Sequence, residues 1–358
     1  MSSRVLNSKE MPQLQPVTEL ERLSCGMSKY PFTATGSEQA RKWQRECRAA
    51  LSELVGFLDT KLVPANPELV EEVDRKDFVR RKVLIQTSPD SRMPVYLLIP
   101  KNVSGPLPAV IAYNGHGYGV KDIVGLWDDG EERHVPDGYQ DDFAVRLCRR
   151  GFFVAAPEIS CFGERQADYS HLSQTLGQPV PSTCHNAATY AFMMGKSVLG
   201  LRLRDGLRLI DYLASVPECD KTRIGAMGIS GGGMMTFFHT CIDERVKACV
   251  VSGYFSSFAG SVLAMDHCTC NFVPGLLTIG EHEDLYGLIA PRPALFEAGT
   301  RDSIFPIEVV RKSVARAREI CAILGGNPDA DVELDEFEGR HRISGQRSYD
   351  FLWEKLTT

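Results

Sequence analysis

The chain has 358 residues, 43% of them hydrophobic, 9% aromatic and 24% charged. That balance excludes a disordered or collagen-like chain and supplies apolar side chains for a large core. Lys and Arg number 40 against 46 Asp and Glu, a net charge of −6 with no basic stripe, so nucleic acid is not an expected partner.

The first 35 residues are rich in Pro, Ser and polar side chains and predict an irregular arm. The polar stretch Met1–Glu10 has no apolar core of a secretory signal, and no run approaches eighteen apolar residues. The expectation is therefore a cytoplasmic protein without membrane contact. Eleven cysteines scattered from Cys25 to Cys321 fit that reducing compartment as small buried apolar residues.

From residue 37 to 58 the rhythm changes. Ala40, Trp43, Cys47, Leu51, Leu54 and Phe57 recur at three- and four-residue steps, which predicts a helix with one apolar face, capped at Ser37. Arg80–Gln86 and Met93–Pro100 predict a hairpin across Ser88-Pro89-Asp90-Ser91. Beyond it, short apolar strands alternate with helices. Strands are expected at 109–113, 152–156, 223–227, 246–251, 294–298 and 332–337. Helices are expected near 140–150, 198–213, 232–241, 308–324 and 344–356. This alternation predicts an α/β fold, a mostly parallel central sheet covered by helices on both faces. Residues 1–78 read as an N-terminal arm and helical extension and 79–358 as the catalytic domain. Two long irregular stretches, 115–137 and 254–291, are the places where function is expected.

Gly228-Ile229-Ser230-Gly231-Gly232 has the form G-x-S-x-G. Alone the pattern is weak, but an apolar strand precedes it and an apolar helix follows, the setting of a nucleophile elbow. A serine hydroxyl needs a base, and the base needs an orienting carboxylate. His341, after the last strand, is the expected base. Asp302, at the carboxyl end of 294–298, is the expected acid, with Glu281 and Asp284 as rivals inside the 254–291 insertion. Oxyanion donors are expected from Gly231 and from Gly117 or Tyr118 in Asn114-Gly-His-Gly-Tyr-Gly119. His116 reads as structural rather than as a second base. Arg165, in Phe162-Gly-Glu-Arg165, either contacts substrate or braces loops. Arg202 and Arg204 read as bracing or solvated. Tyr254, Phe255, Phe258, Phe272 and Tyr286 are expected in the pocket wall. His267-Cys268-Thr-Cys270 could be half of a zinc site with Cys184-His185 opposite, but no ligand spacing marks a second half. No metal and no cofactor are expected.

The ordered set His116-Gly-Tyr118, Phe162-Gly-Glu-Arg165, Gly228–Gly232, Gly299-Thr-Arg-Asp302 and His341 resembles the α/β-hydrolase superfamily. The branch it most resembles is that of acetyl xylan esterases and dienelactone hydrolase-like proteins. The resemblance implies an acyl-enzyme mechanism with Ser230, Asp302 and His341 as triad and the N–H groups of Tyr118 and Gly231 as oxyanion hole. His116, Arg165, Tyr254 and Tyr286 are the expected substrate contacts. Two positions depart from the acetyl xylan esterase pattern: Gly231 stands where Gln is usual, and Arg342 follows His341 where Glu is usual. The expected substrate is a small-molecule or carbohydrate ester, with a peptidase or a non-catalytic binding protein as alternatives. A homo-oligomer is compatible with the sequence.

Overall fold

A computed structural model describes residues 7–358 apart from 62, 102, 104, 170 and 172–182. Strands β1 (Glu68–Asp74), β2 (Phe78–Ser88), β3 (Ser91–Pro100), β4 (Leu107–Tyr113), β5 (Phe153–Pro157), β6 (Cys219–Ile229), β7 (Val246–Ser252), β8 (Ala294–Gly299) and β9 (Val332–Phe337) form one sheet. Its order is β1-β2-β3-β5-β4-β6-β7-β8-β9. The first three strands run antiparallel to their neighbours, and every pairing from β5 to β9 is parallel. Every residue of β4 is buried, as expected of a strand with helices on both faces.

Alternate residues of β4 serve different cores. Ala109 and Ile111 join one cluster, Val110 and Ala112 the other. The first face is covered by α2 (Ser37–Val55), α5 (Val198–Leu213), α6 (Gly231–Ile242) and α7 (Ile307–Ile323). The opposite face is covered by α3 (Phe143–Arg150) and α8 (Ser348–Thr357). Two further helices, α1 (Pro16–Ser24) and α4 (Thr183–Met193), complete the set of longer helices among the described residues.

The α2 stripe packs on this same chain. Ala40, Trp43, Cys47, Leu51 and Val55 are buried, Gln44 Nε2 donates to the carbonyls of Gly287 and Ala290, and Arg48 donates to those of Cys241 and Leu288. At its far end Ser197 Oγ donates to the Val55 carbonyl and accepts from Gly200 N, capping α5. The expected cap at Ser37 is not formed. Gly36 takes the N-cap position with no side-chain bond, because Ser37 already lies in the first turn. The arm also departs from expectation: α1 forms within it and buries none of its residues. Among the described residues no helix is long and apolar enough to cross a membrane.

Candidate active site

The carboxyl ends of the parallel strands carry the chemistry-bearing residues. Ser230 links β6 to α6 with φ 56° and ψ −119°, a left-handed backbone that side chains rarely adopt. The residues two positions before and after it must be glycine. A Cβ on Gly232 would lie 1.9 Å from the Tyr113 carbonyl oxygen, and one on Gly228 would lie 2.4 Å from the Gly232 oxygen. The Ser230 N–H donates to the Ser252 carbonyl at 3.0 Å, and its own carbonyl starts the helix by accepting from Met234.

His341 and Asp302 meet as expected. Their Nδ1–Oδ2 distance is 2.7 Å. The other Asp302 oxygen accepts from the N–H groups of Ile304 and Phe305 at 2.8 and 3.1 Å. The aspartate is therefore locked from two sides, and as an acceptor it assigns the proton to His341 Nδ1. Among the described residues His341 Nε2 has no hydrogen-bond partner. The imidazole is stacked between Tyr139 and Phe305, with ring centroids at 5.7 and 5.9 Å and planes inclined by 25° and 22°. The rivals for the acid are occupied elsewhere. Glu281 accepts from Phe258 N and His282 N, while Asp284 pairs with Arg316.

A cavity of about 290 Å³ opens over Ser230 and His341. Tyr139, Tyr254, Ile304 and Phe305 line it, together with His116 from the 115–137 loop and Asp266, His267, Cys268 and Asn271 from the insertion. The insertion thus supplies wall residues, but mostly not the aromatic ones expected. Tyr286 is fully buried against Phe255 and Phe296, away from the cavity. Phe258 and Phe272 line a different, apolar depression. Arg165 is also corrected: it binds Asp205 at 2.7 Å and donates to Ser91 and the Glu158 carbonyl, bracing loops outside the cavity. Arg204 shares Asp205 with it. The sequence does not single out Tyr139, Asp266 or Asn271, and it marks His267 only as a possible zinc ligand, since all four lie in irregular stretches where no period announces which way a side chain faces.

The loop after β4 is shaped by buried polar groups. Gln140 accepts from Gly115 N at 2.6 Å and donates to Asp122, which Arg133 also engages. The Tyr118 hydroxyl donates to the Leu126 carbonyl and accepts from Arg133, so its side chain serves the loop. The N–H groups of Gly117, Tyr118 and Gly231 have no hydrogen-bond partner among the described residues. Glu158 underlies the loop, accepting from Val120 N at 3.0 Å and from Glu164 N at 3.3 Å. Burial pushes its carboxyl up to about 7, against the lowering effect of those two N–H donors.

A carboxyl raised in the fold favours folding while protonated. Its contribution is complete below the unfolded value of 4.5 and fades as pH rises through about 7. Stability should decline over that window, Glu158 accounting for up to about 3 kcal/mol. Glu158→Gln keeps the acceptor toward Val120 and removes the titration. Urea unfolding at several pH values should show a shallower decline for this variant, while parallel curves would refute the assignment.

One further cluster borders the cavity. The ligand-capable atoms of His116, Cys184, Cys268 and Cys270 all lie within 4.8 Å of one another. Cys184, from α4, does face Cys268 and Cys270, but His116 completes the set in place of His185 or His267. His185 instead bonds Thr269, and His267 contacts Phe305. The expectation that these cysteines serve packing alone does not account for this convergence.

A mostly parallel sheet with helices on both faces, a serine on the strained turn after a central strand, and a histidine–aspartate pair on later loops define an α/β-hydrolase. A profile of the Abhydrolase family matches residues 26–312, and the chain belongs to that family; it is a hydrolase of the α/β-hydrolase type. The matched region includes α2, so this helix belongs to the part of the chain that carries the family likeness. The chain is 27% identical over 296 residues to "Putative hydrolase YtaP" of Bacillus subtilis (strain 168), covering 80% of this chain and 89% of that one. Two solved structures share the fold. A "putative acetyl xylan esterase" of Bacteroides fragilis NCTC 9343 superposes with TM-score 0.73 at 19% identity, over 94% of this chain and 83% of that one. A glucuronoyl esterase from Solibacter usitatus does so with TM-score 0.62 at 16% identity, over 87% and 90%.

Proposed function

We propose that the protein hydrolyses short-chain carboxylic esters, of the kind carried on carbohydrates, through a covalent acyl-enzyme. The observation that carries this reading is the orientation of His341. Its Nδ1 is held by a doubly anchored Asp302, and among the described residues its Nε2 has no hydrogen-bond partner, in a cavity that Ser230 also lines. His341 lies beyond the family match, so its part rests on this geometry.

Nε2 takes the Ser230 proton as the hydroxyl oxygen attacks the acyl carbon, and Asp302 stabilises the imidazolium. The oxyanion is met by the N–H of Gly231 at the start of α6 and by that of Gly117 or Tyr118. The proton on Nε2 passes to the leaving alcohol. Water, deprotonated by the same nitrogen, then releases the acid. No step calls on a bound cofactor.

The cavity favours a small acyl group and a polar alcohol. It holds about 290 Å³, and Asp266, His267 and Asn271 offer hydrogen bonds beside the apolar Ile304 and Phe305. The proposed likeness in substrate to the two carbohydrate esterases of the same fold agrees with that lining. A panel of p-nitrophenyl acetate, butyrate and octanoate, acetylated xylo-oligosaccharide and a methyl glucuronate ester tests it. The expected order places acetyl esters at least about tenfold above octanoate in kcat/KM. Preference for octanoate, or turnover of peptides alone, would overturn the reading.

A further inference from the structure

We propose that His116, Cys184, Cys268 and Cys270 bind one zinc ion in a closed Cys3His site that forms part of the active-site wall. The four ligand atoms come from three separate parts of the chain: the loop after β4, helix α4 and the insertion after β7. Cys270 Sγ lies 3.4 Å from Cys268 Sγ and 3.5 Å from His116 Nε2. Tetrahedral zinc, with Zn–S near 2.3 Å and Zn–N near 2.0 Å, sets sulfurs about 3.8 Å apart and sulfur and nitrogen about 3.5 Å apart. The two sulfurs are too far apart for a disulfide, whose bond is about 2.05 Å. Three soft thiolates and an imidazole form a donor set that suits zinc, and four protein ligands leave no open position. The site is therefore structural and stands beside the hydrolytic chemistry.

Charge supplies an independent argument. Arg202 is only 2% exposed, and among the described residues no carboxylate pairs with it. Its Nη2 lies 3.4 Å from Cys184 Sγ, its Nε and Nη2 donate to the Ser160 carbonyl, and among the described residues its Nη1 has no hydrogen-bond partner. A buried cation without an anion is costly. Loading zinc expels three thiol protons to solvent and leaves three thiolates around a dication, one net negative charge that Arg202 balances. The same guanidinium stacks on Phe162, and Phe162 packs edge-on against His116. Metal, arginine and imidazole are thus parts of one packed unit.

The site also bears on the esterase reading. His116 immediately precedes the two oxyanion candidates of its loop, and its ring lies 3.0 Å from where a Cβ of Gly231 would be. Zinc on Nε2 would fix this loop against the start of α6. His116 is then a positioning residue. That consequence rests on the proposed ester hydrolysis, whereas the metal site itself does not.

Metal analysis of the full chain, purified without added chelator and desalted, should find one zinc per chain. Cobalt added to metal-stripped, reduced protein should give thiolate-to-cobalt charge-transfer absorption and the intense visible bands of a tetrahedral site. In the folded wild type, alkylation followed by mass mapping should find Cys184, Cys268 and Cys270 protected until a chelator is added. Cys184→Ser and Cys268→Ser should each lose stoichiometric zinc, while the exposed Cys25→Ser keeps it. If the ion positions the loop, stripping it should lower kcat on acetyl ester about 10- to 100-fold, with zinc restoring it. A chain that binds no zinc as purified or after zinc addition overturns the site, as does cobalt bound without thiolate absorption. So does alkylation unaffected by chelator. These readouts need no turnover, so the metal site and the esterase reading fail separately.

Discussion

Ser230→Ala should lower turnover of p-nitrophenyl acetate by about 10⁴- to 10⁶-fold and abolish labelling by a fluorophosphonate. Both effects follow from removal of one oxygen. The labelling reagent reacts only with an activated serine, so its loss separates the nucleophile from a residue that merely lines the cavity. The substitution should leave the fold intact. Alanine meets the same backbone strain at φ 56° as serine does, and among the described residues no hydrogen bond uses the Ser230 hydroxyl. Thermal unfolding within a few degrees of wild type, together with near-complete loss of turnover, is the expected pair of results. Unchanged turnover in Ser230→Ala would remove the proposed nucleophile and the acyl-enzyme with it.

Most of the fold could be read from short-range pattern. The helix at 198–213 and the parallel strands appear where apolar period and flanking Gly and Pro place them, because burial on two faces leaves little freedom in composition. β1 was missed, since its residues Glu68–Asp74 lie at the sheet edge and are mostly exposed, so no alternation of apolar and polar side chains marks it. The triad candidates were legible for a different reason: the topology obliges catalytic loops to follow strand ends, and order along the chain then limits the choices. The wall of the cavity was not legible. Asp266, His267 and Asn271 are brought to Ser230 by an irregular insertion whose path depends on long-range contacts such as Ser261 with the Ile304 carbonyl. The Cys3His cluster shows the limit most clearly. Cys184 and Cys268 are 84 residues apart and His116 lies 68 residues before Cys184, so no local spacing could reveal a four-ligand set that only folding assembles.

Asp302→Asn should be nearly as damaging to turnover as loss of the serine, by about 10⁴-fold in kcat, while the geometry survives. In the native chain Oδ1 accepts two backbone N–H groups, from Ile304 and Phe305, and Oδ2 accepts from His341 Nδ1. Asparagine has one acceptor oxygen. Satisfying the two buried N–H groups places that oxygen at Oδ1 and turns the amide NH2 toward His341. Nδ1 must then accept, so the imidazole proton moves to Nε2, the nitrogen that has to take the Ser230 proton. The variant therefore keeps its contacts and has the wrong tautomer. The reverse amide orientation would aim NH2 at two N–H donors and is the costlier arrangement. A steady-state comparison on p-nitrophenyl acetate should show a collapse in kcat with KM little changed, alongside a near-native unfolding curve. Asp302→Ala should lose turnover comparably but also lose stability, because it strands the N–H groups of Ile304 and Phe305. Equal stability of the two variants would show that Asp302 does not anchor its loop. Normal turnover in either would transfer the acid's part to another carboxylate.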